Sequence, residues 1–279
     1  MIARMQDILN HAYENRYAVG AFNCYSYETA KAVVRAAEKL NTSAIIAFGA
    51  KYLDNMEFNE IHAVVSALLE NHDVPIALHL DHCSKVEDVY RAINAGFTSV
   101  MYDGSHLPFE ENVANTKRVV EVAHSVGVSV EAELGSIATG LDSHEGEVGA
   151  LTKYTDPDKA REFVERTGVD CLAVSIGTVH GHYKGEPNIR LDILKEINEK
   201  VGIPLVLHGG SGTPEDKIRG SIDNGIAKIN VNTEISTYTI EKTREFLKDN
   251  NPHLSVLYLR QQEYMMEVIE RYMKLFKND

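Results

Sequence analysis

"LVLHGGSGTPEDKIRGSIDNGIAKINVNTEIS" occupies Leu205–Ser236. It reads as an apolar strand, a glycine-rich turn, a helical pattern opening near Pro214, and a second apolar strand ending in Asn-Val-Asn-Thr. Two strands joined by a helix in so short a span are parallel neighbours. His208 follows the first apolar run directly, and Asn232 and Thr233 follow the second. Residue types that bind metals and phosphates therefore stand at the ends of consecutive strands.

The same alternation recurs on both sides. Strand candidates are "AVGAFN" (18–23), "AIIAFG" (44–49), "PIALHLD" (75–81), "SVMYDG" (99–104), "SVEAELG" (129–135), "CLAVSIG" (171–177), "PLVLHGG" (204–210) and "AKINVNT" (227–233), eight in all. Between them lie segments such as "YETAKAVVRAAEKL", "KVEDVYRAINA" and "ENVANTKRVVEVAHSV", with apolar residues at i, i+3, i+4 and i+7. Eight β-α units predict an α/β fold: a (β/α)8 TIM barrel with an extra N-terminal helix and a C-terminal helical extension, one domain over 1–279. A doubly wound parallel sheet is the competing architecture. The longest non-periodic stretch is "GSIATGLDSHEGEVGALTKYTDP" (135–157), a length that in compact domains marks a functional loop or disorder. After Thr233 the pattern is helical, and "LRQQEYMMEVIERYMKLF" could reach across a partner subunit.

Composition bounds the function. The 279 residues are 44% hydrophobic and 25% charged with a net charge of −13, which argues against nucleic acid or an anionic membrane as partner. Cys24, Cys83 and Cys171 form no disulfide framework and suit a reducing, cytoplasmic setting. The start, "MIARMQDILNHAYENRYAVGAFN", reads as an amphipathic helix and a strand, not a signal peptide. No apolar run approaches membrane-spanning length.

In a parallel barrel the carboxyl ends of the strands face the active site. Asp81 and His82 close the third strand, Asp103 the fourth, and Glu133 lies near the end of the fifth. His180 follows the sixth in "SIGTVHGHYKGEP", and His208 closes the seventh. Three histidines from three strand ends suit one zinc ion with a position left for water or substrate. His72, His106, His124, His144 and His253 read as surface residues, and His79 as a packed or supporting one. His182, beside His180, is harder to dismiss. Asp81 could merely orient a ligand, Glu133 could be structural, and Glu131 is expected to face away from Glu133. Gly209, Gly210, Ser211 and Gly212, with Asn232 and Thr233, supply small residues and amides before two helices. Together with Lys184 they predict an anion cradle.

"HLDH", "TVHGHYKGEP", "LHGGSG" and "KINVNTE", in this order, resemble the class II, zinc-dependent ketose-bisphosphate aldolases over nearly the whole chain. The resemblance implies that His82, His180 and His208 are zinc ligands and Asp81 the catalytic aspartate. It places Asp103 and Glu133 at a second or resting metal position. Gly181, Lys184, Gly209, Ser211, Asn232 and Thr233 match the groups around the ketone-side phosphate, beside which a monovalent cation (Na+ or K+) often sits in the family. Asn23 and Asn230 match residues near the dihydroxyacetone moiety. The implied reaction is reversible aldol cleavage of a phosphorylated ketose, such as fructose- or tagatose-1,6-bisphosphate. Its products are dihydroxyacetone phosphate and an aldehyde such as glyceraldehyde 3-phosphate, and the implied assembly is a homodimer or homotetramer.

This sequence departs from the family pattern at the aldehyde end. Leu141 stands in the register of a loop glutamate that moves a proton, leaving Asp142, Glu145 or Glu147 to replace it. "IIAFGAKYL" lacks the serine-bearing turn common after strand two, and in "NPHLSVLYLRQQEYMM", the region comparable to the family's basic residue for the aldehyde phosphate, Arg260 is present without an assigned register. A metal-dependent isomerase or epimerase, and a non-catalytic sugar-phosphate binder, are the competing functions.

Overall fold

The computed structural model describes residues 2–143, 153–183, 185 and 187–277. Helix α1 (Met5–Glu14) leads into β1 (Val19–Asn23), α2 (Tyr27–Leu40), β2 (Ala44–Gly49), α3 (Phe58–Leu68), β3 (Ile76–Asp81) and α4 (Val86–Asn94). Then come β4 (Ser99–Tyr102), α5 (Phe109–Ser125), β5 (Ser129–Leu134), the short β6 (Ala138–Thr139), α6 (Pro157–Thr167), β7 (Cys171–Val174) and the short β8 (Val179–His180). The remainder is α7 (Leu191–Val201), β9 (Leu205–Leu207), α8 (Glu215–Asp223), β10 (Ile226–Val231), α9 (Thr233–Asp249) and α10 (Leu254–Phe276).

Eight strands close in the order β1-β10-β9-β7-β5-β4-β3-β2. The first and last pair in parallel, Val19 beside Lys228 and Phe22 beside Val231, which excludes the open doubly wound sheet. β6 and β8 pair with each other outside the barrel. The eight barrel strands fall on the eight predicted runs, and the extra helices at both ends are present.

The strands are buried on both faces because helices cover the outside and side chains fill the inside. The outer core joins residues such as Phe22, Phe48, Leu78, Val130 and Ile229 to the inner faces of the helices. Inside lie small residues, Ala21, Ala47, Ala77, Ala173 and Ala227, on which Met5, Ile8 and Leu9 of α1 pack. α1 is tied to the strand starts, the Ala3 N–H donating to the Ile76 carbonyl at 2.8 Å. Burial of each large apolar side chain contributes roughly 1.5–3 kcal/mol. Small interior side chains also leave room for a polar layer deeper in the barrel than the strand ends.

α10 docks its second half on its own barrel. Met265, Val268, Ile269, Met273 and Phe276 are buried, Lys39 of α2 pairs with Glu270 at 2.8 Å, and the Ala18 N–H donates to the Phe276 carbonyl. Its large exposed apolar residues, Leu254, Val256, Tyr258 and Leu259, lie at its start.

Candidate active site

Asp81 is the last residue of β3, and His82 follows it with φ 41°. Successive side chains of an extended strand point to opposite faces. The left-handed residue breaks that alternation, so Asp81 and His82 both reach the barrel mouth. A non-glycine residue held there is strained, a cost that functional sites tolerate when the surroundings fix it. The Asp103 N–H, donating to the Cys83 carbonyl at 2.8 Å, pins the turn.

His82, His180 and His208 each offer a ring nitrogen within 4.8 Å of the others. The closest approach is His82 Nε2 to His208 Nδ1, at 2.7 Å. The outer nitrogen of each of these two rings meets a carboxylate: His82 Nδ1 lies 3.2 Å from Asp103, and His208 Nε2 lies 2.9 Å from Glu131. A carboxylate only accepts, so these outer nitrogens carry hydrogens and the inner lone pairs point at each other. Two lone pairs at this distance need a cation between them. Burial works against a charged His82, but Asp81 and Asp103 outweigh it and lift the ring to about 10. Burial, then the His82 charge, bring His208 down to about 4. Histidines that donate outward to carboxylates are the donor set a zinc ion takes. His82, Asp103 and Glu133 form a second cluster on the same distance criterion.

Asp81 is fully buried. Its Oδ2 accepts from Asn23 Nδ2 and its Oδ1 from Asn230 Nδ2, each at 3.0 Å. Burial opposes its charge, but His82, Lys228, His208 and His79 together hold it well below the usual carboxylate range. Glu133 is the opposite case. Burial, with Asp103 adding repulsion and His82 pulling the other way, pushes it well above that range. Its Oε2, and the side-chain oxygens of Asn23 and Asn230, have no partner among the described residues. Buried acceptors left open in this way are uncommon and need a ligand or solvent to explain them.

The sequence reading of Glu131 needs correction. Residues two apart on a strand share a face, and Glu131 points into the barrel with Glu133 instead of away from it. It accepts from His208 on one oxygen and from Lys228 Nζ, at 2.7 Å, on the other. Burial opposes ionisation, yet Lys228 and the His208 hydrogen bond hold Glu131 below the usual range. Lys228 itself was not singled out from the sequence. A lysine in "AKINVNT" with the parity of Asn230 was the available signal. His79 is packed as expected, its Nδ1 at 2.8 Å from Ser99 and its Nε2 at 3.4 Å from Lys228. Burial and then Lys228 lower it to about 3.

The predicted cradle residues lie on loops that are laced together. The Gly210 N–H donates to the Asn230 carbonyl at 2.9 Å, and Ser211 Oγ accepts from the N–H of Glu234 at 3.2 Å. Asn232 stands at the N-cap position of α9 without a side-chain capping bond, and Thr233 is the first residue of the helix. Gly209 has φ 73°, and a Cβ there would sit 2.2 Å from the Val179 carbonyl oxygen. Gly181, with φ 97°, packs as closely on the Leu141 carbonyl. The loop ahead of it is strapped alongside, Leu141 and His182 exchanging two backbone hydrogen bonds. Asn232 Nδ2 also donates to the Tyr52 hydroxyl at 3.0 Å. Tyr52 follows β2 in "IIAFGAKYL", and sequence reasoning passed over it. Lys184, and Glu145 and Glu147 of the long loop, lie outside the described residues. Asp142 is exposed with φ 54°.

Comparison with known proteins agrees with this geometry. The family model "Fructose-bisphosphate aldolase class-II" matches residues 3–279. A probable fructose-bisphosphate aldolase of Bacillus subtilis (strain 168) is 48% identical over 251 residues, covering 88% of this chain and 86% of that protein. A Bacillus licheniformis protein named 6-phospho-5-dehydro-2-deoxy-D-gluconate aldolase is 44% identical over 249 residues, covering 88% and 84%. The crystal structure of the YdjI aldolase from Escherichia coli K12 superposes with a TM-score of 0.87 at 33% identity, covering 100% of this chain and 98% of that one. The relatives are named as aldolases, which disfavours the isomerase and the non-catalytic binder. The chain belongs to the class II fructose-bisphosphate aldolase family, whose members are lyases that perform aldol cleavage.

Proposed function

We propose that the chain is a zinc-dependent aldolase that cleaves a phosphorylated ketose to dihydroxyacetone phosphate and an aldehyde. Fructose- and tagatose-1,6-bisphosphate are the first candidates. The observation that carries this reading is the pair of inner nitrogens of His82 and His208, 2.7 Å apart with His180 beside them and Asp81 next in sequence. His82, His180 and His208 hold the zinc, and Asp103 and Glu133 with His82 offer a second metal position. Zinc, when bound, supplies a Lewis acid that polarises the substrate ketone.

Asp81 takes the proton of the C4 hydroxyl. The C3–C4 bond breaks, its electron pair stays with C3 as an enediolate, and C4 leaves as an aldehyde carbonyl. An acid from the 135–150 loop then protonates C3, with Asp142, Glu145 and Glu147 as candidates. Asn23 and Asn230 orient Asp81 and leave their amide oxygens to accept from the dihydroxyacetone hydroxyls. Gly181, Lys184, Gly209, Ser211, Asn232 and Thr233 hold the ketone-side phosphate at the start of α9, where a helix N-terminus favours an anion.

Two relatives of nearly equal identity carry the names of a bisphosphate and a single-phosphate substrate, which supports an aldehyde end open to variation. The chain acts as one catalytic domain over 1–279, in a reducing cytoplasm that suits three free, buried cysteines. No described helix is long and apolar enough to cross a membrane. Exposed Ile240 and Leu247 on α9, with Leu254, Val256 and Leu259 on α10, support a homodimer or homotetramer. The test is incubation with ketose bisphosphates, reading release of dihydroxyacetone phosphate before and after chelation. Two fragments and loss of turnover on chelation are expected. An isomerised ketose without fragments, or full activity after chelation, overturns the reading.

A further inference from the structure

Lys228 and Glu131 are both fully buried inside the barrel. Neither follows from the needs of the fold, because a buried ion pair is commonly replaceable by apolar residues of similar volume without loss of stability. The pair reaches the site through His208, and Glu131 Oε2 also has His79 Nε2 at 3.5 Å and Cys171 Sγ at 3.8 Å. Lys228 Nζ lies 2.7 Å from Glu131 Oε2, and the other oxygen, Oε1, accepts from His208 Nε2 at 2.9 Å. Lys228 also lies 3.4 Å from His79 Nε2 and 4.0 Å from Asp81 Oδ1. A cation, a carboxylate and an imidazole thus form a line whose free end is His208 Nδ1, the atom facing His82 Nε2.

We propose that the Glu131–Lys228 pair is a positioning unit that fixes the tautomer and the aim of His208. Lys228, donating to Oε2 at 2.7 Å, holds the Glu131 carboxylate in orientation. The carboxylate requires the hydrogen on Nε2, which leaves the Nδ1 lone pair directed at the site. Without that acceptor the ring is free to carry its hydrogen on Nδ1, where it would point at the cation position and block it. This inference rests on the three-histidine zinc reading and deepens it.

The experiment compares the wild type with Glu131→Gln, Lys228→Met and the double variant Glu131→Gln/Lys228→Met. It reads the zinc dissociation constant by chelator competition, the melting temperature of the metal-free protein, and the visible absorption of the cobalt(II)-loaded protein. Each single variant leaves one charge buried without its partner and lowers the metal-free melting temperature. The double variant removes both charges, so the melting temperature returns towards the wild type. Zinc binding by the double variant stays weaker by about 10–100-fold, the usual effect of losing such an outer partner, and its cobalt spectrum remains altered. Recovery of wild-type zinc affinity together with stability would show that the pair is only structural, and overturns the inference. Should the variants not fold, nitrogen-15 correlation spectra of the zinc-loaded wild type decide the matter. A hydrogen on His208 Nε2 supports the proposal, and a hydrogen on Nδ1 overturns it. A wild-type chain that takes up no zinc overturns the three-histidine reading itself, whereas wild-type uptake with unchanged variant affinity overturns this inference alone.

Discussion

Nε2 of His82 and Nδ1 of His208 face each other at 2.7 Å, and each ring is anchored from behind by a carboxylate, Asp103 for the first and Glu131 for the second. On the proposed function the two rings share one divalent cation. Purified protein is therefore expected to hold about one tightly bound zinc per chain, the content of a single catalytic centre. His208→Ala should lose the metal and lower kcat by roughly three orders of magnitude or more, since a Lewis acid supplies several kcal/mol of charge stabilisation. Metal analysis beside turnover checks it, and a zinc-replete, inactive variant contradicts it.

Asp81 touches the site through two asparagine amides and no ring nitrogen at hydrogen-bond distance. Asp81→Ala should keep most of the zinc while kcat falls by roughly two to four orders of magnitude, the scale of general acid–base catalysis. Zinc loss in step with activity would make Asp81 a support for His82.

Gly209 separates His208 from the rest of the cradle, and its missing Cβ admits the Val179 carbonyl at 2.2 Å. Gly209→Ala should force that loop apart and misplace His208. Activity should drop by at least about tenfold, the scale on which small misplacements act, with a lowered melting temperature. Gly127→Ala is the control, since φ there is also positive, at 75°, but a Cβ meets nothing within 4 Å.

Glu234 accepts from Tyr272, Arg271 and the Gly212 N–H, tying α9 to α10 and to the cradle loop. Partial burial opposes its charge, but the Tyr272 and Arg271 hydrogen bonds outweigh it and lower its pKa in the folded chain. A lowered folded pKa means stability that is present above the unfolded value of about 4.3 and is lost as pH falls through the folded one. Glu234→Gln should therefore cost about 1 kcal/mol at pH 7, after discounting for solvent. That is a fall of roughly 2–4 °C in melting temperature, and the gap to the wild type should narrow below pH 4.5. A gap independent of pH would assign the loss to packing.

On the proposed function, the ketone-side phosphate is held by small residues on loops that are hydrogen-bonded together, and the resemblance is weakest at the aldehyde end. Removing the ketone-side phosphate from a substrate should cost several kcal/mol in transition-state binding, because charge-assisted hydrogen bonds are lost. Removing the aldehyde-side phosphate should cost less. Comparing kcat/KM for a ketose 1,6-bisphosphate with its 1-phosphate decides between them. A preference of roughly 10⁴-fold for the bisphosphate, about 5.5 kcal/mol, would reveal an aldehyde-phosphate site at odds with this expectation.

The strands were legible because each is a short apolar run between amphipathic helices, and barrel closure follows from having eight of them. The strand-end histidines were legible for the same reason: position on a predicted strand placed them at the mouth. Lys228 and Glu131 were not, because strand parity had been misjudged for Glu131 and a charge inside an apolar run carries no motif. Nor does local sequence announce that His82 adopts φ 41°. That conformation is imposed by tertiary contacts, and it alone lets two consecutive residues serve one site.

The pairing of β1 with β10 has a consequence for synthesis. Val19–Asn23 leaves the ribosome early and meets β2 soon after, but its other edge stays open until Ile226–Val231 has been made. At about 5–20 residues per second, that wait is on the order of 10–40 s. The Phe276 carbonyl, which accepts from Ala18 next to β1, arrives later still. A nascent chain therefore carries an unpaired strand edge for most of its elongation, a template for wrong partners. Truncation of α10 should show first as poor yield from translation, before any defect in the purified enzyme.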